Sequence, residues 1–260
     1  MLEEARIEVP RLTAEVLLAH AIGCDRVWLY AHSDEELREV WWIHYGRYLH
    51  QRLQGKPTQY ITGVQEFYGR GFRVTPDVLI PRPETEHAVE AALPFASGLV
   101  ADLGTGSGAI GVTLSLEAKA QVICTDISEG AVRVAAENAR LLGSGARFAV
   151  CDLGSALASG VFDLVTCNPP YVPHAGNETI QREVREHEPP IAIFGGFDGL
   201  AVYRRLIPDA ARLLKPGGHL VMEIGWLASV AVGAMLGEWK DVELKADLAG
   251  IPRVAVALKP

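Results

Sequence analysis

The chain has 260 residues, 49% of them apolar and 22% charged, and a formal net charge of -8. A chain of this length buries roughly 70–75% of its unfolded surface, so it needs no disulfide or metal staple to stay folded. Its acidic balance disfavours non-specific binding to nucleic acid, which relies on Lys and Arg neutralising phosphates.

The opening residues Met1-Leu-Glu-Glu-Ala-Arg are too charged for a signal peptide, and no apolar run is long enough to span a bilayer. A cytoplasmic protein without membrane association is expected. Residues 1–55 read as helical. Leu12, Glu15, Val16, Ala19 and His20 recur at helical spacing, and Gly23 is a stop. Ser33 with Glu36 reads as a capping box before a second run that carries Leu37, Val40, Trp41, His44, Tyr45 and Tyr48 on one side. That run ends at Gly55, with Pro57 beyond. Of the pair Trp41-Trp42, one is expected in the core and the other at its rim.

Residues 66–83 mix Phe67, Tyr68, Phe72 and Val74 with Gly69, Gly71 and Pro76, a pattern of short strands or a hairpin linking two domains. From residue 84 onward apolar runs alternate with helical stretches. Runs end at Asp102, Asp126, Asp152 and Asn168, and further runs cover 219–224, 242–246 and 254–258. Helices are expected at 129–142 and 200–214. Such alternation implies parallel strands joined by right-handed crossovers, hence an α/β, doubly wound sheet. The short turn Ala249-Gly-Ile-Pro-Arg253 makes the last two strands an antiparallel pair at the sheet end. The cysteines, Cys24, Cys124, Cys151 and Cys167, form no Cys-x-x-Cys pair and are read as buried and inert, in keeping with a reducing compartment. The eight histidines lack metal-ligand spacing, so no metal is expected.

Three groups of residues carry chemistry. The first is Asp102-Leu-Gly104-Thr105-Gly106-Ser107-Gly108, where a strand opens into a helix. Glycines there permit a tight turn and close approach of a ligand to the backbone. The segment Gly104 to Ala109 also satisfies a looser dinucleotide fingerprint, but Asp102 suits a ligand with a cationic amino group better than a pyrophosphate. The second is Asp126, at the tip of the next strand, where a carboxylate can accept both ribose hydroxyls of S-adenosylmethionine or of NAD. Asp152 is placed to accept from an adenine amino group, with Leu153 covering the ring. Both Asp126 and Asp152 could instead be helix caps. The third is Asn168-Pro169-Pro170-Tyr171. Two prolines stop the strand and remove two donors, leaving the Asn168 side-chain oxygen and the Pro169 carbonyl as rigid acceptors. Two such acceptors can hold both hydrogens of an NH2 group and aim its nitrogen at a methyl donor, while Tyr171 supplies a flat face.

That tetrapeptide is shared by amino-methyltransferases of DNA adenine and of protein glutamine. The surrounding stretches resemble the HemK/PrmC-type protein-(glutamine-N5) methyltransferases: Pro57-Thr-Gln-Tyr-Ile-Thr-Gly63, Glu66-Phe-Tyr-Gly69, Leu79-Ile-Pro-Arg-Pro-Glu-Thr-Glu86, Glu188-Pro, Phe194-Gly-Gly-Phe-Asp-Gly-Leu200 and Leu214-Lys-Pro-Gly-Gly218. The resemblance runs from about Arg11 to the C-terminus and is stronger after Pro57. It implies a small helical N-terminal recognition domain (1–65), a hairpin (66–83), and a seven-stranded, Rossmann-like methyltransferase domain (84–260) using S-adenosylmethionine. The implied substrate is the glutamine of the Gly-Gly-Gln loop of class I peptide chain release factors, acted on by a monomer without direct nucleic-acid binding. Cofactor contacts are implied at Gly104 to Gly108, Asp126, Leu153 and Asn168, and substrate contacts at Asn168, Pro169, Pro170 and Tyr171. Leu153 departs from the Trp of some relatives, and Ile251-Pro252 from a polar pair before Arg253. Three alternatives stand beside this reading: another protein glutamine, an adenine or guanine amino group of nucleic acid, and a non-enzymatic module that binds release factors or senses the cofactor. Arg82 and Glu84 either orient a loop over the cofactor or form an ordinary ion pair. Gly195, Gly196 and Gly199 belong either to a mobile substrate loop or to a plain turn.

Overall fold

The computed structural model describes residues 2, 7, 9–118, 120–174 and 180–260. The chain divides into two compact units, one running to Val64 and including Ile180–His187, the other holding the rest from Gln65 onward.

The first unit is helical. Helix α1 (Pro10–Ile22) ends at Gly23, whose positive φ of 83° lets its N–H turn back onto the Ala19 carbonyl. Asp25 caps α2 (Arg26–Ala31) by accepting from the Trp28 N–H at 2.7 Å. Next come α3 (Glu39–Leu53) and α4 (Thr58–Thr62). The expected capping box is not formed. Helix α2 runs on to Ala31, which leaves Ser33 in a turn, and α3 starts only at Glu39 with no side-chain cap. The buried face of α1 also differs from the expected one. Thr13, Leu17 and Ala19 face inward, while Leu12 is 40% exposed. On α3, Trp41 is half-buried under the Arg38 guanidinium, 4.6 Å from the ring centre, and Trp42 is 61% exposed. Val40, assigned to the packed side, is exposed as well. A helix that periodicity did not reveal, α8 (Arg182–His187), joins this unit through Glu183, 2.5 Å from the buried Arg52.

A hairpin follows, of β1 (Val64–Phe67) and β2 (Arg70–Arg73), which belongs to the second unit from Gln65 onward and whose turn places Tyr68 and Gly69 at positive φ. Phe67 and Phe72 meet edge to face and join the core. A short turn of 3-10 helix (Pro83–Thr85) leads into α5 (Glu86–Ala92). Thereafter strands and helices alternate: β3 (Gly98–Leu103), α6 (Ala109–Glu117), β4 (Ala120–Asp126), α7 (Glu129–Leu142), β5 (Arg147–Val150) and β6 (Phe162–Cys167). After α8, the chain continues through α9 (Pro190–Ile193), α10 (Ala201–Leu213), β7 (Leu214–Glu223), α11 (Ser229–Met235), β8 (Lys240–Ala246) and β9 (Pro252–Leu258).

The seven strands lie in the order β5-β4-β3-β6-β7-β9-β8, with β9 antiparallel to both neighbours and the other pairs parallel. Alternating strand residues face opposite sides. Val100, Val122, Leu164, Val221 and Val254 pack under α5, α6 and α7, whereas Ala101, Leu103, Val165, Leu220 and Met222 pack under α10 and α11. This is the expected doubly wound sheet with its terminal antiparallel pair. Four strand boundaries move by two residues or more, β8 and β9 each opening two residues earlier than their apolar runs. β5 stops at Val150, two residues before Asp152, once Cys151 N–H has bonded the Asp126 carbonyl. β7 starts at Leu214 because pairing with β6 resumes across a register shift. Cys124 and Cys167 are buried, but Cys24 and Cys151 are only partly so. Among the described residues, no helix is long and apolar enough to cross a membrane.

Candidate active site

From β3 the chain builds outward through β4 and β5, then returns to place β6 on the other flank of β3. Ligands of open α/β sheets bind at such a switch point, outside the carboxyl ends of the strands. Pairing of Leu103 with Thr125 and with Cys167 brings three strand ends level there. A pocket opens at this edge, lined by Asp102, Gly104, Thr105, Gly106, Ser107, Asp126, Asp152, Leu153, Asn168, Pro169 and Pro170. Gly108 and Tyr171 are not among its lining residues. Gly108 caps α6 against Val112 and Ala135, and Tyr171 packs its ring on Gly225.

Asp102 is 1% exposed and organises the glycine turn from beneath. Its Oδ2 accepts from the Thr105 hydroxyl at 2.6 Å and the Gly111 N–H at 3.1 Å, and its Oδ1 from the Thr166 hydroxyl at 2.9 Å. Burial pushes its carboxyl up to about 6, against those hydrogen bonds, which hold it down. Gly104, Gly106 and Gly108 all have positive φ, between 55° and 85°, which a side chain would resist. Asp126 Oδ2 accepts from Gly106 N–H and Oδ1 from Ser128 N–H, each at 2.9 Å, while Ser128 itself caps α7. One further lone pair is left on each Asp126 oxygen. Asn138, fully buried on α7, ties this turn to the hairpin. Its amide donates to the carbonyls of Ser107 and Arg73, and its oxygen accepts from Arg73 N–H.

Asp152 pairs with Arg205. Next to it, Leu153 holds φ at 48°, rare for a residue with a branched side chain, and its carbonyl accepts from the Thr125 hydroxyl at 2.8 Å. Thr125, within the sheet, therefore positions Leu153 on the pocket wall.

Behind Asn168 lies a buried group that strand periodicity did not single out. Asn168 Nδ2 donates to Thr85 Oγ1 at 3.2 Å, and the Thr85 hydroxyl donates to Glu223 Oε2 at 2.7 Å. The Tyr171 hydroxyl donates to Glu223 Oε1 at 3.1 Å. Glu223 is 3% exposed, and burial pushes its carboxyl up, opposed by the hydrogen bonds from Thr85 and Tyr171. Burial, together with the Glu223 charge, also raises the Tyr171 phenol. Glu223 stands next to last in the apolar run 219–224, with Ile224 after it, so the strand-ending carboxylate read at Asp102 and Asp126 did not mark it. Thr85 lies in the Leu79–Glu86 stretch that carries the resemblance, but nothing in its own neighbourhood marked it as a site residue.

Arg82 lines the pocket and forms an ion pair of 2.5 Å with buried Glu188, whose other oxygen accepts from Ile80 N–H. The glycines after Phe194 serve close packing. A Cβ on Gly195 would fall 2.5 Å from the Pro170 carbonyl and 2.6 Å from that of Gly199. Backbone bonds from Gly195 to Val172 and from His174 to Gly196 fasten this loop along the segment that follows Tyr171.

Residues 1–63 match the model of the PrmC N-terminal domain, and residues 86–188 that of the methyltransferase small domain. The chain is 44% identical over 265 residues to the release factor glutamine methyltransferase of Koribacter versatilis, covering 100% of this chain and 95% of the relative. It is 40% identical over 255 residues to that of Bordetella pertussis, covering 95% and 94%. Among solved structures it resembles a methyltransferase from Pyrococcus furiosus, with a TM-score of 0.52 and 18% identity over 74% of this chain and 90% of that one. It also resembles the Thermus thermophilus 16S rRNA N2 G1207 methyltransferase in complex with AdoMet and guanosine, with a TM-score of 0.55 and 20% identity over 76% and 50%. At such identities the solved structures share the fold alone. The near-complete match to curated relatives goes further: this chain belongs to the release factor glutamine methyltransferase family.

Proposed function

We propose that the protein transfers a methyl group from S-adenosylmethionine to the side-chain nitrogen of the glutamine in the Gly-Gly-Gln motif of class I peptide chain release factors. One observation carries this reading: Asn168, Pro169 and Pro170 line the same pocket as the glycine turn and Asp126. An amide-holding motif and a cofactor-holding motif therefore face one space.

The residues present suit the cofactor. Asp126 keeps two lone pairs for a ribose diol, and Asp102, with three donors already on it, keeps one for an ammonium. Gly104, Thr105, Gly106 and Ser107 offer backbone along the aminoacyl end, with Gly108 opening the helix behind them. Leu153 would cover the adenine, and Asp152, shared with Arg205, would accept from its amino group. When bound, the cofactor supplies an electrophilic methyl group on its sulfonium.

The rest is work for this chain. An amide nitrogen is a weak nucleophile because its lone pair is delocalised into the carbonyl. Asn168 Oδ1 and the Pro169 carbonyl accept its two hydrogens, fix the amide plane and stabilise positive charge as it grows on nitrogen; methylation makes those hydrogens acidic, and one of them leaves as a proton to solvent. Pro170 keeps the segment rigid, and Tyr171, anchored on Glu223, braces it. Holding the reacting atoms about 3–3.5 Å apart and in line supplies several kcal/mol of the barrier. In this reading residues 1–65 are the recognition domain, 66–83 the linking hairpin and 84–260 the catalytic domain. The protein acts as a cytoplasmic monomer without binding nucleic acid, consistent with its net charge of -8 and four unpaired cysteines.

The test is methyl transfer from labelled S-adenosylmethionine to a release factor, beside the same factor with its Gly-Gly-Gln glutamine replaced. Mass spectrometry locates the label. Label on that glutamine, absent from the altered factor, is the expected result, and label on nucleic acid instead would overturn the substrate. Asn168→Ala should lower turnover by about 10²–10³ with a smaller effect on cofactor affinity.

A further inference from the structure

We infer that Glu223 is a positioning residue for methyl transfer: acting through Thr85, it determines which end of the Asn168 carboxamide faces the substrate. The inference rests on the reading that Asn168 accepts a hydrogen of the substrate amide.

The argument follows the hydrogens. Both Glu223 oxygens accept hydroxyl hydrogens, Oε2 from Thr85 and Oε1 from Tyr171, so the carboxyl group directs no proton of its own at either neighbour. Glu223 Oε2, buried and 2.7 Å from Thr85 Oγ1, therefore commits the single hydroxyl hydrogen of Thr85 to itself. Thr85 Oγ1 is left with lone pairs alone, so its neighbour 3.2 Å away must be a donor. The Asn168 carboxamide has one donating end, its NH2 group, and that end turns to Thr85. Oδ1 is then the end left for the pocket. Reversed, Asn168 would present NH2 to the NH2 of a substrate glutamine, donor against donor, and the substrate nitrogen would lose its anchor. The Tyr171 hydroxyl donates to the other Glu223 oxygen at 3.1 Å, so one carboxylate orders both ends of the Asn168–Tyr171 segment. Thr85 precedes α5 and Glu223 ends β7, two elements remote in the chain that meet only in the fold.

The test compares Thr85→Val, which keeps the shape and removes the relay, with Thr85→Ser, which keeps the hydroxyl. Glu223→Gln supplies an independent arm if Thr85→Val folds poorly. Each is assayed for turnover on a release factor, cofactor dissociation constant and thermal midpoint. Thr85→Val should lower kcat roughly tenfold or more, the factor carried by one charge-assisted hydrogen bond, with cofactor affinity nearly unchanged. Thr85→Ser should restore most of kcat. Glu223→Gln should fall between them, since its amide can present either end to Thr85. Unchanged kcat in both Thr85→Val and Glu223→Gln, or an equal loss in Thr85→Ser and Thr85→Val, overturns the relay. If Asn168→Ala is inactive while the relay variants are normal, only this inference fails. If Asn168→Ala keeps turnover, the substrate reading fails and takes the relay with it.

Discussion

Tyr203 stands on α10 with no exposed surface, and its hydroxyl is a strut beneath the end of β7. It donates to the Glu223 carbonyl at 3.1 Å and accepts from the Gly225 N–H at 3.2 Å. Tyr203→Phe removes one oxygen and nearly nothing else. A buried N–H left without a partner costs about 1–3 kcal/mol, and a carbonyl that keeps a second lone pair costs less. Phe spares the hydroxyl its own desolvation, which offsets part of this loss. The expected destabilisation is about 2–3 kcal/mol, or a fall of roughly 5–10 °C in the melting temperature of a domain this size. Urea unfolding followed by circular dichroism should show a lower midpoint with an unchanged slope. Turnover should fall as well, because Gly225 backs the Tyr171 ring and Glu223 anchors its hydroxyl. A Tyr203→Phe protein as stable as wild type to within about 0.5 kcal/mol would refute the strut.

Two further expectations follow from the geometry of the pocket. Gly195→Ala places a methyl group against two backbone carbonyls that cannot swing aside, so the Pro170 backbone must shift. The specificity constant for a release factor should fall roughly tenfold or more while cofactor binding, followed by calorimetry, stays near wild type; an unaltered constant would show that the loop yields freely. The Asp102 carboxyl, raised from 3.8 to about 6, holds a proton in the folded state that the unfolded chain has released, so the stability it contributes at low pH is lost as pH rises through about 6. Asp102→Asn has no such titration, so its stability relative to wild type in parallel urea titrations should rise by on the order of 3 kcal/mol across that window, and a pH-independent difference would contradict the shift.

Much of the sheet was legible because its strands carry their burial in composition. Val100 and Ala101, Leu164 and Val165, and Val254 to Ala257 put apolar side chains on both faces, as strands covered by helices on each side must. Helix α7 was read at its observed bounds because Ser128 caps it and Gly143 ends it. The N-terminal helices were harder. Their faces are only half-buried, so Leu12 and Val40 kept the helical period while pointing outward. The capping pattern at Ser33 had no helix to cap, because the chain there was still closing α2. Helix α8 is too short and too charged for periodicity to mark, and only the pairing of Glu183 with Arg52 reveals where it belongs.

The residues alone determined the layered α/β architecture, the glycine turn, the acidic strand tips and the Asn168–Tyr171 segment, because each is written in a few neighbouring residues whose chemistry is local. Tertiary structure decided what stands behind them. Asn138 locks the turn from α7, Thr125 seats Leu153, and Glu223 reaches Asn168 through Thr85. A hydrogen bond between residues 138 positions apart leaves no trace in either residue's neighbourhood along the chain. It exists only because a seven-stranded sheet brings the end of β7 beside the start of α5.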